Sequence, residues 1–201
     1  MEKLDRGREI IEATKKLYDV KNYRDINIKE ISAVTSMSRP SIYNYFQSKE
    51  EIFLTMLTDE YLTWVEEIND YKNNNTRVTK VGFAGFLAKS LEKRPLMLKL
   101  IANNIADFEE NSRMEILVNY KKSYVATLEI VEECLKKFFK GMKEKERIAF
   151  IYAFFPFLFG LYPYAVATEK QREALNTIEA NYNFYSIYEL SFNMLSQLLG
   201  V

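Results

Sequence analysis

The sequence predicts an all-α fold, with an N-terminal three-helix helix-turn-helix domain followed by a helical bundle. Nearly every segment repeats apolar residues at the 3.6-residue helical period, and no run alternates as a half-buried strand does. Two of the helical runs also open on a polar cap with Glu three residues further on, the pattern of a capping box.

The first helix is predicted over residues 6–20, with Ile10, Ile11, Thr14, Leu17 and Tyr18 on one face. Asn22, which tolerates positive φ, is placed to end it, after which Tyr23 and Ile26 return to the core. Asn27 then caps a second helix, with Glu30 three residues on and Ile28 and Ile31 on the buried side. Thr35-Ser36-Met37-Ser38 makes a turn, and Ser38 caps a third helix over residues 39–46 that carries Pro40 in its first turn, where a missing N–H costs nothing. Ser48 with Glu51 opens a long helix to about Tyr71, and the Asn-rich run 72–76 reads as a linker. Further helices are predicted over residues 78–93, 95–106, 114–140, 144–162 and 183–199, with Gly141 and the polar stretch 168–172 as separators. Two domains follow from this order: residues 1–50 as the helix-turn-helix domain and residues 51–201 as a helical domain.

Lys plus Arg equals Asp plus Glu at 28 each, so the whole chain gives no polyanion-binding signal. Residues 1–50 carry ten Lys/Arg against eight Asp/Glu, and any nucleic-acid contact must come from local placement. Histidine is absent, which removes the commonest metal ligand and the usual general base. The single Cys134 sits in an ordinary amphipathic pattern and reads as a buried free thiol. No phosphate-cradling Gly loop appears, so an enzyme is not expected, and neither a metal nor a cofactor is called for. The N-terminus has no apolar h-region, consistent with a cytoplasmic protein. Residues 148–168 run without a charge for about the length that spans a bilayer. Pro156, Gly160, Pro163 and three Tyr hydroxyls favour instead a helix buried in protein or in an interface, kinking or stopping near Pro163.

On a helical wheel Ile42 and Phe46 share the inner side of the third helix. Pro40, Ser41 and Asn44 point outward, with Tyr43 and Tyr45 on the flanks and Arg39 at the N-terminal end. That inventory suits duplex DNA. Arg39 can make a bidentate hydrogen bond to guanine and Asn44 can pair with adenine, while Pro40 or Ser41 can touch a thymine methyl. Tyr43, Tyr45 and Lys49 are within the chemistry of phosphate contacts, as are the free N–H groups at Asn27 and Ile28 with the Lys29 side chain. Ser38, at the head of the same helix, completes the DNA-facing set.

The run from Ile42 to Glu51, IYNYFQSKEE, together with REIIEATKKLY upstream, resembles the DNA-binding domain of the TetR family of bacterial regulators. The resemblance covers about residues 6–60. It implies an all-helical dimer of about nine helices per subunit, in which the first three helices bind DNA and the rest bind a ligand and dimerise. It places Lys29, Arg39, Pro40, Ser41 and Asn44 near bases, and Asn27, Tyr43, Tyr45 and Lys49 at phosphates. Two positions depart from the family pattern: Ser36 stands where Gly is usual in the turn, which predicts a non-glycine positive φ or a different turn, and Asn22 replaces another frequent Gly.

In the C-terminal half, Trp64, Phe83, Phe86, Met97, Leu100, Ile101, Asn104, Phe108, Tyr124, Phe155 and Phe159 are the candidate lining of an effector pocket suited to a flat or lipophilic molecule. The uncharged stretch 148–168 and the last helix are the dimer candidates, forming a four-helix interface with a second copy. The expected function is a transcriptional regulator, a repressor released from a palindromic double-stranded operator by a small-molecule effector, with no membrane partner. The competing reading is a helical interaction or membrane-associated protein whose helix-turn-helix only packs.

Overall fold

The computed structural model describes the backbone of residues 2–201 and the side chains of residues 6–102 and 105–201. Among the described residues every regular element is helical. In order these are α1 (Glu2–Val20), a 3-10 turn (Tyr23–Asp25), α2 (Ile28–Ala33), α3 (Arg39–Tyr43) and α4 (Lys49–Asn74). After them come α5 (Lys80–Glu92), α6 (Pro95–Glu110), α7 (Met114–Phe138), α8 (Glu144–Ala165), α9 (Glu169–Thr177) and α10 (Ile187–Leu199). The chain separates into two compact units, residues 1–60 with 104–124, and residues 61–103 with 125–201.

The first unit is built on α1 to α3 and the opening turns of α4, joined by the turn between α6 and α7. Ile10, Ile26, Ile31, Ile42 and Phe53 are all fully buried in it. Apolar residues recurring at helical spacing on several short helices leave each helix one inward stripe, and these stripes meet. Phe53 is the hub: Tyr18 and Tyr23 meet it edge-on at 5.1 and 5.0 Å, and Phe108 from α6 stacks on it at 5.5 Å.

In the second unit Trp64 is fully buried against Phe154 and Phe155 of α8, and its indole Nε1 donates to Ser90 Oγ at 2.9 Å. A second aromatic group stacks Tyr71 on Phe86 at 3.6 Å, with Phe83 and Phe138 beside them. α10 packs on α5 and α8. The Cys134 thiol is buried here, and burial pushes its pKa up to about 12, so it carries no thiolate at neutral pH.

Several boundaries differ from the sequence expectation. Pro156 and Pro163 lie inside α8, which ends at Ala165, near Pro163 as expected but three residues beyond the predicted last residue, Tyr162. α9 occupies the stretch read as a separator, opened by a reciprocal box in which Thr168 Oγ1 accepts from the Gln171 N–H and Gln171 Oε1 accepts from the Thr168 N–H. None of its residues is buried, so it has no apolar period to detect. The last helix begins at Ile187, not near residue 183, because Ser186 and Glu189 form its cap. α3 ends at Tyr43, short of Phe46. Asn22 is extended at φ −76°, not left-handed; the chain leaves α1 through an extended residue and the 3-10 turn instead.

α8 is long and apolar enough to cross a membrane by length and composition, and 33% of its most apolar stretch is buried. Its exposed residues Ile148, Tyr152, Pro156, Phe159, Gly160, Pro163 and Tyr164 recur at three- and four-residue steps, so they form one continuous outward stripe.

Candidate nucleic-acid interface

The helix-turn-helix is assembled from short-range polar bonds over a small apolar base. Asn27 Oδ1 accepts the Glu30 N–H at 3.1 Å and caps α2, while the Glu30 carboxylate, instead of closing a box, pairs with Lys21. Ser38 Oγ accepts the Ser41 N–H at 3.3 Å and caps α3, with Pro40 in the first turn. In the turn between them, Ser36 donates to the Glu9 carboxylate twice, from its N–H at 2.6 Å and its Oγ at 3.0 Å. Those two bonds hold the Glu9 carboxyl below its usual pKa. Among the described residues Glu179 is the one non-glycine at positive φ, so Ser36 does not take the left-handed conformation. A side-chain anchor from α1 fixes a turn that needs no glycine.

Ile42 is fully buried and Phe46 is 6% exposed, so these two anchor α3 from below as the wheel predicts. Arg39, Pro40, Tyr43 and Asn44 are exposed, and Ser41 and Tyr45 are half-buried. Asn27, Lys29, Arg39, Tyr43 and Lys49 come together around a shallow concavity of about 380 Å³, with Ile28, Ser48 and Glu50 completing its wall. Ser38, Pro40, Ser41, Asn44 and Tyr45 lie outside that concavity.

Lys49 is less free than its place at a helix start suggests. Its Nζ donates to the Tyr23 and Ile26 carbonyls at 3.0 and 2.9 Å and sits 3.9 Å from the centre of the Tyr23 ring. Burial lowers its pKa. Tyr23 in turn donates its hydroxyl to Glu50 Oε1 at 2.5 Å; burial, then the Glu50 carboxylate, pushes the phenol pKa up. The start of α4 is thereby tied to the connector between α1 and α2.

The sequence reading did not single out Arg113. It forks onto the buried Glu51 carboxylate, with Nε at 2.7 Å and Nη2 at 2.9 Å. Nothing local marks this residue, which stands in a polar turn 62 positions from its partner.

This construction, two short capped helices presenting a polar helix over an apolar base, has known counterparts. Residues 10–56 match the family model described as bacterial regulatory proteins, tetR family, and residues 58–197 match that of the tetracyclin repressor-like C-terminal domain. The chain belongs to the TetR family. It is accordingly a DNA-binding transcriptional regulator, and a helix-turn-helix that only packs is set aside. An uncharacterised HTH-type transcriptional regulator of Bacillus subtilis, YdgC, is 26% identical over 156 residues, covering 64% of this chain and 74% of that protein. A TetR-family regulator structure from Mesorhizobium loti superposes with a TM-score of 0.64 at 15% identity, over 100% of this chain and 98% of that one. The regulator FadR of Bacillus subtilis, solved with stearoyl-CoA, gives 0.59 at 14% identity, over 96% of this chain and 97% of that one. At such identities the two structures show a shared fold.

In this TetR-family chain the candidate pocket residues are divided between the two units. Phe108 and Tyr124 belong to the first unit, where Phe108 is part of the Phe53 cluster and Tyr124 stacks with Tyr120. Trp64, Phe83, Met97, Leu100, Ile101 and Phe155 are buried in the second unit, with Phe86 half-buried on Tyr71. Phe159 lies on the outward stripe of α8, and the Asn104 side chain lies outside the described residues. A cleft of about 910 Å³ in the second unit, bordered by Lys80, Phe138, Phe139, Phe150 and Leu199, uses none of these candidates.

The ion pair at Glu51 makes stability depend on pH with a definite sign. Burial raises the carboxyl pKa, but the Arg113 side chain, the Gln47 N–H and the Arg113 N–H together outweigh it and hold the pKa below the usual value. A depressed carboxylate stabilises the fold above its unfolded pKa, about 4.3 for Glu, and that contribution is lost as pH falls through the folded value. Glu51→Gln is therefore expected to melt below the unaltered protein at pH 7, with the gap narrowing below about pH 4. A gap that stays constant from pH 7 to pH 3 in thermal melts would mean the carboxylate is not held charged by Arg113.

Proposed function

We propose that this regulator is a cytoplasmic homodimeric repressor, not an enzyme, that reads a palindromic operator through α3 and releases it when a small lipophilic effector binds. Residues 1–50 serve as the reading domain and residues 51–201 as the regulatory and dimerisation domain. The observation that carries the DNA reading is the exposed face of α3 beside the concavity shared by Asn27, Lys29, Arg39, Tyr43 and Lys49. Arg39 reads guanine and Asn44 adenine, while Pro40 and Ser41 contact the groove floor. Asn27, Lys29 and Tyr43 hold phosphates, with Ser38 and Tyr45 at the edges of the contact. Lys49 acts chiefly by holding the start of α4, since its ammonium is engaged by the Tyr23 and Ile26 carbonyls.

Dimerisation is supported by the outward stripe of α8, whose exposed Ile148, Tyr152, Phe159 and Tyr164 form an apolar face of the kind that marks an interaction site. Pairing α8 and α10 with those of a second copy covers it. Two reading helices are then available for successive major grooves, about 34–36 Å apart. A lipophilic effector is supported by the aromatic and aliphatic interior of the second unit, with Trp64, Phe83, Met97, Leu100 and Phe155 buried there. The stearoyl-CoA bound by FadR, a fold relative, is of that chemical class.

The reading is tested on a duplex selected by the unaltered protein from a random pool. Arg39→Ala and Asn44→Ala are each expected to cost about 1–3 kcal/mol of affinity and to relax preference at one base position. Unchanged binding by both variants would exclude base readout through α3. For the dimer, Tyr152→Glu places a charge in the proposed interface and is expected to shift sedimentation from two chains to one. An unaltered dimer would place the interface elsewhere.

A further inference from the structure

The turn between α6 and α7 reaches the segment just after the reading helix by three separate polar contacts within the first unit. Ser48 Oγ donates to the Asn111 carbonyl at 2.9 Å. Arg113 Nη2 donates to the Tyr45 carbonyl at 3.1 Å. The Glu51 carboxylate, 1% exposed, is shared: Oε1 accepts from the Arg113 backbone N–H at 3.0 Å and from Nε at 2.7 Å, and Oε2 accepts from Nη2 at 2.9 Å and from the Gln47 N–H at 2.8 Å. Tyr45 and Gln47 flank Phe46, the anchor at the C-terminal end of the α3 segment. The guanidinium therefore grips the chain on both sides of that anchor, directly at Tyr45 and through Glu51 at Gln47.

We propose that Arg113 is a positioning residue for base readout, fixing the angle at which α3 is offered to the major groove. The proposal rests on the reading that α3 contacts bases. α3 has five residues; Ile42 and Phe46 set its depth, and the Glu9 bonds to Ser36 with the Ser38 cap hold its N-terminal side. The Arg113 fork supplies the constraint on the C-terminal side, because two parallel N–H···O bonds define a plane as well as a distance. Base-edge hydrogen bonds tolerate only small errors of position and angle, whereas phosphate contacts by flexible side chains tolerate larger ones. Loosening the fork should thus erode sequence discrimination first and general DNA affinity little. Arg113 meets the chain at the Tyr45 carbonyl, one residue beyond Asn44, and at Glu51, so it acts on the backbone that carries the base-reading side chains.

The test uses the full-length protein, a duplex it selects from a random pool and an unrelated duplex of equal length, with Arg39→Ala as a reference. Arg113→Ala is expected to lose about tenfold in affinity for the selected duplex, to change affinity for the unrelated one by less than about twofold, and to keep the same salt slope. Arg113→Lys should recover only part of the discrimination, because an ammonium cannot make the fork. Circular dichroism and the fluorescence of the one tryptophan, Trp64, check that each variant is folded at the assay temperature. If Arg113→Ala is not folded, Glu51→Gln, which keeps the shape and loses the charge, carries the same comparison. An equal loss on both duplexes, or no loss on either, overturns the proposal and leaves Arg113 a stabilising tie. If Arg39→Ala also leaves discrimination intact, the reading that α3 contacts bases fails and takes the proposal with it. If Arg39→Ala loses discrimination and Arg113→Ala does not, the positioning proposal alone is wrong.

Discussion

A helix of five residues has no independent stability in water, so the pose of Arg39–Tyr43 is borrowed from its neighbours. Each part of the first unit supplies one piece of it. α1 contributes Glu9, whose carboxylate fixes the turn at Ser36. Ser38 begins the helix by capping it, and Ile42 and Phe46 set its depth. α4 contributes Glu51, and the α6–α7 turn contributes Arg113, which together hold the chain beyond its C-terminal end. A short reading helix has the advantage that nearly all of its outward surface is free for contact. Its cost is that three other segments, α1, α4 and the α6–α7 turn, must agree on where it stands.

Charge is organised on the same local scale. The chain as a whole is balanced at 28 cationic and 28 acidic side chains, so affinity for DNA cannot come from a diffuse positive field. Several cations are instead spent inside the fold: Lys21 on Glu30, Lys49 on two carbonyls, Arg113 on Glu51, and Arg94 on Glu67. Lys29 and Arg39 remain beside the concavity where DNA contact is proposed. A regulator built this way depends on geometry more than on bulk attraction, and discrimination between sequences is where its structure should be most exposed to change.

The local parts of this arrangement were legible in the sequence. Helical period and caps placed α1 to α8 to within a few residues, and the wheel put Ile42 and Phe46 on the inner side, because both signals lie within one or two turns of chain. α9 was missed because a helix with no buried residue leaves no period, although Thr168 and Gln171 form the box that starts it. Asn22 was read as able to take a left-handed conformation, and Ser36 as needing either that or a different turn; the backbone avoids the region by a 3-10 turn at Asn22 and by the Glu9-anchored turn at Ser36. Arg113 with Glu51 lay outside any local pattern, since 62 residues separate them and only the fold brings them together. The effector-pocket candidates rest on a different signal. Aromatic residues at helical spacing mark burial, and burial alone does not say which of them share a space.

The central claim is that α3 meets base edges in the major groove. Methylation interference on the selected duplex tests it most directly, because dimethyl sulfate modifies guanine at N7 in the major groove and adenine at N3 in the minor groove. The account predicts that methylation of particular guanines at N7 blocks binding, and that Arg39→Ala abolishes the block at one of them in each half-site. Interference confined to adenine N3, or an Arg39→Ala pattern identical to that of the unaltered protein, would contradict it.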